Sequence, residues 1–138
     1  MRDFKKGDHF PSIDIPEITA EHISNYAEGS GDYASIHLDK NAAQEAGFDQ
    51  PIAHGMWSMA LGGKLVARWL SSNFQITSYY VSFIMPVMIG DSLIVQGQIL
   101  DVDQGQAEIK VRGINQREET VIKGKMIVKG WQDEKASG

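Results

Sequence analysis

Residues 53–70 constrain the fold more than any other stretch of this chain. Met56, Trp57, Met59, Ala60, Leu61, Leu65, Val66, Ala67, Trp69 and Leu70 are apolar at positions that run nearly all the way round a helix. Lys64 and Arg68, four residues apart, are left as its one solvent-facing edge, and in an isolated helix they would repel by a few tenths of a kcal/mol. A helix of that kind is predicted to be buried, so the rest of the chain must provide a concave apolar surface to enclose it. With 138 residues and 42% hydrophobic content, the chain has room for one such core and not for two ordinary domains. The expectation is a single domain over residues 1–138.

The enclosing surface is predicted from the C-terminal half. Tyr79, Val81, Phe83 and Met85 alternate with Tyr80, Ser82 and Ile84 before Pro86, and Leu93, Val95, Gly97 and Ile99 alternate after a turn at Gly90-Asp91. Ala107, Ile109, Val111 and Gly113 alternate with Glu108, Lys110 and Arg112, and Ile122, Gly124, Met126 and Val128 alternate with Lys123 and Lys125. This reads as one antiparallel meander with an apolar and a wet face. Upstream, residues 1–18 lack a clear period and suggest an extended lead-in with one short strand. Thr19 is placed to cap a helix over 20–28 that ends at Gly29, with Ile18 stapling onto Ile23. Asp39 is placed to cap a second over 40–46, stopped by Gly47, which leaves 29–38 as a loop. The segment 132–138 is a polar tail.

Composition removes several function classes. A formal net charge of −5, with no stretch that concentrates Lys and Arg, leaves no footprint for nucleic acid. No window is apolar enough for a membrane span and the N-terminus lacks an apolar signal region, so the cytoplasm is the expected location. The absence of cysteine excludes disulfides, thiol nucleophiles and thiolate metal sites. The four histidines, at 9, 22, 37 and 54, show no metal-ligand spacing, so no metal and no cofactor is predicted; His9 and His22 read as solvated surface residues.

The chemistry-bearing stretch is Ser30-Gly31-Asp32-Tyr33-Ala34-Ser35-Ile36-His37-Leu38-Asp39, followed by Pro51-Ile52-Ala53-His54-Gly55-Met56. An acid and an imidazole stand five residues apart, and a glycine opens the apolar helix. These residues resemble the MaoC-like family of (R)-specific enoyl-thioester hydratases and 3-hydroxyacyl-thioester dehydratases. That family's signature is Gly-Asp, a variable residue, Asn-Pro, an aliphatic residue and His, then a helix-opening His-Gly-Met. The resemblance extends to Tyr26-Ala27, Gly47-Phe48, Phe83, Pro86 and Gly90-Asp91. It implies a hot-dog fold of the α+β class, a long central helix wrapped by a curved antiparallel sheet. It also implies Asp32 and His37 as the catalytic pair and the Gly55 N–H as donor to the thioester carbonyl. In one departure, Ala34-Ser35 stands where the family has Asn-Pro.

Elementary chemistry points the same way. Hydrating an enoyl thioester takes a water deprotonated as it attacks C3, a proton delivered to C2, and a site for charge on the carbonyl oxygen. Asp and His suit proton exchange near neutrality, and both can grip one water. Free N–H groups at a helix start can serve as an oxyanion hole, where one donor is typically worth about 2.7–4 kcal/mol of transition-state stabilisation. His54 reads as structural, its ring bonded to nearby backbone, or else as part of the substrate site. Trp57 either packs in the core or faces an acyl tail, and Tyr33 is either an exposed loop aromatic or a constriction of the substrate path. Lys64 and Arg68 are better explained as a solvated edge than as phosphate ligands.

The predicted activity is reversible, stereospecific interconversion of trans-2-enoyl and (R)-3-hydroxyacyl thioesters. The acyl chain would be carried by CoA or an acyl carrier protein. Two rivals stand beside it: a hot-dog thioesterase, which would release free thiol, and a non-catalytic acyl-binding subunit of a heteromeric dehydratase. A curved sheet round one helix leaves an open edge, so self-association is expected, most simply as a homodimer joined edge to edge.

Overall fold

The computed structural model describes residues 4–70 and 73–130; the polar tail at 132–138 lies outside them. Strand β1 (Ile13–Ile15) leads into α1 (Ala20–Ser30), α2 (Ser35–Leu38), α3 (Lys40–Glu45) and α4 (Gly55–Ala67). Four longer strands follow, β2 (Gln75–Phe83), β3 (Leu93–Asp103), β4 (Gln106–Ile114) and β5 (Thr120–Lys129). All five strands form one antiparallel sheet in the order β1-β3-β4-β5-β2. This is the α+β architecture expected, but not a plain meander. β3, β4 and β5 follow one another, whereas β2 pairs with β5 and β1 flanks β3, so β2 and β3, consecutive in sequence, lie on opposite sides of the sheet.

The predicted alternation holds in β3 and β4; β5 buries the adjacent Val121 and Ile122, and in β2, at the sheet's edge, Tyr79 and Val81 are only half-buried and Phe83 is exposed. Leu93, Val95, Ile99, Ala107, Ile109, Val111, Met126 and Val128 are fully buried, and the residues between them, the buried Gly97 apart, are more exposed. Burying a Val, Leu or Ile side chain is worth about 1.5–3 kcal/mol, so this inner face is the main adhesive of the domain. Gln104 (φ 50°) and Gly105 (φ 75°) make the tight β3–β4 hairpin, both in the left-handed region that a two-residue turn of matching twist requires.

α4 lies against that face at close range. A Cβ at Gly97 would stand 2.8 Å from Leu65 Cδ2, and one at Gly62 would overlap Tyr79 Oη and come within 2.8 Å of Val111 Cγ1. The space at Gly62 lets the Tyr79 hydroxyl donate to the Met59 carbonyl at 2.7 Å. The helix is less enclosed than its composition suggests. Ser58, Gly62, Leu65 and Val66 are buried, but Met56 is 58% exposed and Ala60 is exposed, because the sheet covers one side of the helix only. Lys64 and Arg68 lie on the exposed side, as predicted.

The predicted caps form with two adjustments. Thr19 and His22 make a reciprocal capping box, in which the Thr19 hydroxyl accepts from the His22 N–H and His22 Nδ1 accepts from the Thr19 N–H. His22 is therefore half-buried and structural, not a solvated surface residue. α1 runs past Gly29 to Ser30 and ends where Gly31 turns left-handed (φ 77°), its N–H bonded to the Ala27 carbonyl.

Candidate active site

Gly31 ends α1 and turns the chain outward, and Asp32 follows at once. Asp32 Oδ1 accepts the Ala34 N–H (3.1 Å) and its own N–H donates to Ser30 Oγ (3.2 Å), so the carboxylate is held by a local turn with Oδ2 unbonded. The segment expected to be loop then makes one helical turn, α2, which carries His37. Ala34 occupies its N-cap without a side-chain bond and Ser35 opens it. The Asn-Pro that the sequence lacks would place a capping amide and a preorganised first helical residue at these positions. The missing pair therefore weakens a helix start and leaves the Asp32 and His37 side chains in place.

His37 is nearly enclosed, its Nδ1–H donating to the Ile52 carbonyl at 2.8 Å. That carbonyl is itself fixed. Ile52 N–H bonds the Ile36 carbonyl, Ala53 N–H the Val87 carbonyl and Ile89 N–H the Pro51 carbonyl. With Nδ1 carrying the proton, His37 Nε2 presents its lone pair 3.8 Å from Asp32 Oδ2. This separation is too long for a direct hydrogen bond and leaves the two atoms free to share a third group.

His54 supports both. It is 3% exposed, its Nε2–H donates to the Asp32 carbonyl at 3.0 Å, and its ring stacks on His37 at 3.9 Å with 24° between the planes. Tyr26 also packs against the His54 ring, at 4.8 Å. His54 is also the N-cap residue of α4, so Gly55 and Met56 begin the helix with N–H groups that have no partner among the described residues.

His37 and Gly55 border a cavity of about 270 Å³. His37, Gly55 and Ser58 supply its polar lining, and Ile52, Ala53, Phe83, Ile84, Met85, Pro86, Val87 and Ile122 the rest. The Phe83 ring covers the helix start, where a Cβ at Gly55 would lie 3.0 Å from it. Asp32, half-exposed, is not itself a lining residue; its Oδ2 lies 3.8 Å from Nε2 of His37, which is. The arrangement offers a proton acceptor, a carboxylate and free helix N–H groups around an apolar slot, which suits addition of water to an acyl chain held beside α4.

Asp32, His37, His54 and Gly55 are thus brought together. Tyr33 and Trp57 do not line the cavity: Tyr33 is 60% exposed, and Trp57 stacks on His22 at 5.9 Å. Ser58, absent from the sequence-based candidates, does line it, buried one turn into α4. A lone serine among the apolar residues that open the helix was the signal available. Donor atoms of Asp32, His37 and His54 lie within 4.8 Å of one another, a closeness that histidine spacing cannot reveal. One nitrogen of each imidazole is already committed to a backbone carbonyl.

Residues 7–121 match the family model described as MaoC like domain. The chain is 28% identical over 113 residues to the (R)-specific enoyl-CoA hydratase of Aeromonas caviae, covering 80% of this chain and 84% of that one. It is 36% identical over 80 residues to the mitochondrial 3-hydroxyacyl-[acyl-carrier-protein] dehydratase of Arabidopsis thaliana, over 55% of this chain and 45% of that longer protein. Among solved structures, an R-hydratase of Pseudomonas aeruginosa superposes with a TM-score of 0.84 at 26% identity, covering 94% of this chain and 84% of its own. Fold and relatives together define a hot-dog hydro-lyase. The chain belongs to the MaoC-like dehydratase family.

Proposed function

We propose that this protein interconverts trans-2-enoyl thioesters and (R)-3-hydroxyacyl thioesters by reversible syn addition of water. The observation that carries the reading is the pairing of His37 Nε2 and Asp32 Oδ2, 3.8 Å apart, at the cavity that the unpartnered Gly55 N–H borders. A water held between the pair gives one proton to the His37 lone pair as its oxygen bonds to C3, while Asp32 fixes its second hydrogen. His37 returns the proton to C2 from the same face, which makes the addition syn. Negative charge on the thioester oxygen meanwhile falls to the Gly55 N–H at the positive end of α4. The acyl chain enters on CoA or an acyl carrier protein and runs along the apolar wall formed by Phe83, Met85 and Ile122. Joining of two copies edge to edge is part of the same proposal. Among the described strands β2 pairs with β5 alone, which leaves its other edge open to a second copy.

The test is loss of the enoyl-thioester absorbance with crotonyl-CoA and a medium-chain enoyl-CoA, beside Asp32→Asn and His37→Gln. Parent activity with kcat reduced at least about 100-fold in both variants is the expected result. Retention of parent rates in either variant removes that residue from the mechanism, and release of free thiol replaces hydration by thioester hydrolysis.

A further inference from the structure

Strand pairing builds on the outer face of the sheet a feature that the linear sequence conceals. Lys110 lies directly opposite Lys125, and Arg112 directly opposite Lys123. Like charges facing each other across an antiparallel pair destabilise a sheet. The chain sets two such pairs side by side although its formal net charge is −5. The compensation inside the fold is partial. Glu108 ion-pairs with Lys125 at 2.8 Å, and Arg112 Nε donates to the neutral Thr120 hydroxyl. Among the described residues, no carboxylate lies within ion-pair distance of Lys110, Arg112 or Lys123. Lys110, Lys123 and Lys125 rim a shallow depression of about 220 Å³ whose floor includes Tyr80 and Leu100.

We propose that this face docks the acidic surface of a carrier protein bearing the thioester substrate; the proposal rests on the thioester reading above. An open face with an apolar floor and a cationic rim fits an apolar side chain flanked by carboxylates, as one side of an acidic helix presents them. The phosphates of a nucleotide ask instead for converging donors, and here the strand N–H groups are spent in the ladder. The placement serves delivery. Ser82 and Lys123 belong to the cationic face, while their neighbours Phe83 and Ile122 line the catalytic cavity from the other side of the sheet. Strand β2 ends at Phe83, and Ile84 just beyond it is 49% exposed, so an acyl arm rounds the strand end to reach the cavity. Complementary charge would also steer encounter and make it salt-dependent.

The experiment uses the full chain and a triple variant, Lys110→Gln/Arg112→Gln/Lys123→Gln, with crotonyl thioesters of CoA and of a small acidic acyl carrier protein. Direct binding of the unacylated carrier protein is measured in parallel at low and high salt. The expected result is a rise of at least about tenfold in KM for the carrier-borne substrate, with kcat and both CoA constants unchanged. Binding of the unacylated carrier is lost in the triple variant and weakened by salt in the parent, and Tm holds or rises as the repulsion is removed. An unchanged KM for the carrier substrate overturns the proposal, and so does an equal rise for the CoA ester, which would assign the cations to nucleotide phosphates. If the parent hydrates neither thioester, the functional reading fails on its own. The docking surface is then judged by carrier binding: its loss in the variant supports the proposal and its absence in the parent overturns it.

Discussion

Gly62 and Gly63 are neighbours on α4 with opposite surroundings, and exchanging each for alanine yields effects of opposite sign. In a helix interior alanine is favoured over glycine by about 1 kcal/mol. Gly63 has no atom within 4 Å of an added Cβ, so Gly63→Ala keeps most of that gain. Gly62 faces the sheet, where a Cβ overlaps Tyr79 Oη and stands 2.8 Å from Val111 Cγ1. Relief of that overlap displaces the Tyr79 hydroxyl from the Met59 carbonyl, losing a bond worth about 0.5–1.5 kcal/mol, and overpacking adds about 1–3 kcal/mol. After the propensity gain, Gly62→Ala destabilises by roughly 0.5–3.5 kcal/mol. For a domain of this size each kcal/mol moves Tm by about 3–5 °C, so thermal unfolding separates the two variants clearly. Tyr79→Phe in the Gly62→Ala background removes the nearest obstacle and recovers part of the loss, a coupling that a double-mutant cycle measures. Two alanines shifting Tm in the same direction would refute this packing of α4 on the sheet, and with it the placement of Gly55 at the cavity.

Two further outcomes follow from the same structure. Burial pushes the Tyr79 hydroxyl from 10.0 up to about 12, so the neutral form is the one the fold favours; the stability it protects is full below pH 10 and is lost as pH rises through 12. Discounted for the partial exposure of Tyr79, that loss is about 1–2 kcal/mol. Urea titrations run from about pH 9, below the ordinary phenol range, to about pH 12 should show a shallower decline for Tyr79→Phe, and parallel curves would contradict the assignment. Ala34→Asn supplies the missing side-chain cap of α2 and is expected to add about 0.5–2 kcal/mol to stability with kcat held or raised. A fall in denaturation midpoint would show that the turn before His37 does not start at Ala34.

What the sequence made legible is what short-range physics decides. Period-two alternation identified the buried face of β3 and β4, and the Asp32–His37 spacing with His54-Gly55 pointed to residues that the fold brings together. The order of the strands was not legible. Alternation does not tell that the partner of β2 is β5 rather than β3. The extent of α4 burial was overread for a similar reason: Met56 and Ala60 are apolar in composition, yet enclosure depends on how far the sheet curves round. Histidine at the third position of α1 hid its capping role, because that place is usually held by Glu or Gln. The cationic outer face was invisible because Lys110 and Arg112 meet Lys123 and Lys125 only through register.

One bond at the site carries an implication for how the protein tolerates change. The proton on His37 is held at Nδ1 by the oxygen of Ile52, a main-chain atom common to all twenty residue types. Exchange of the Ile52 side chain alters the cavity wall yet leaves the tautomer untouched. Pocket shape can therefore drift toward new ligands while the position of the His37 proton is inherited unaltered. The exception at that position is proline, which lacks the N–H that Ile52 gives to the Ile36 carbonyl and would release the strap that keeps the oxygen in place.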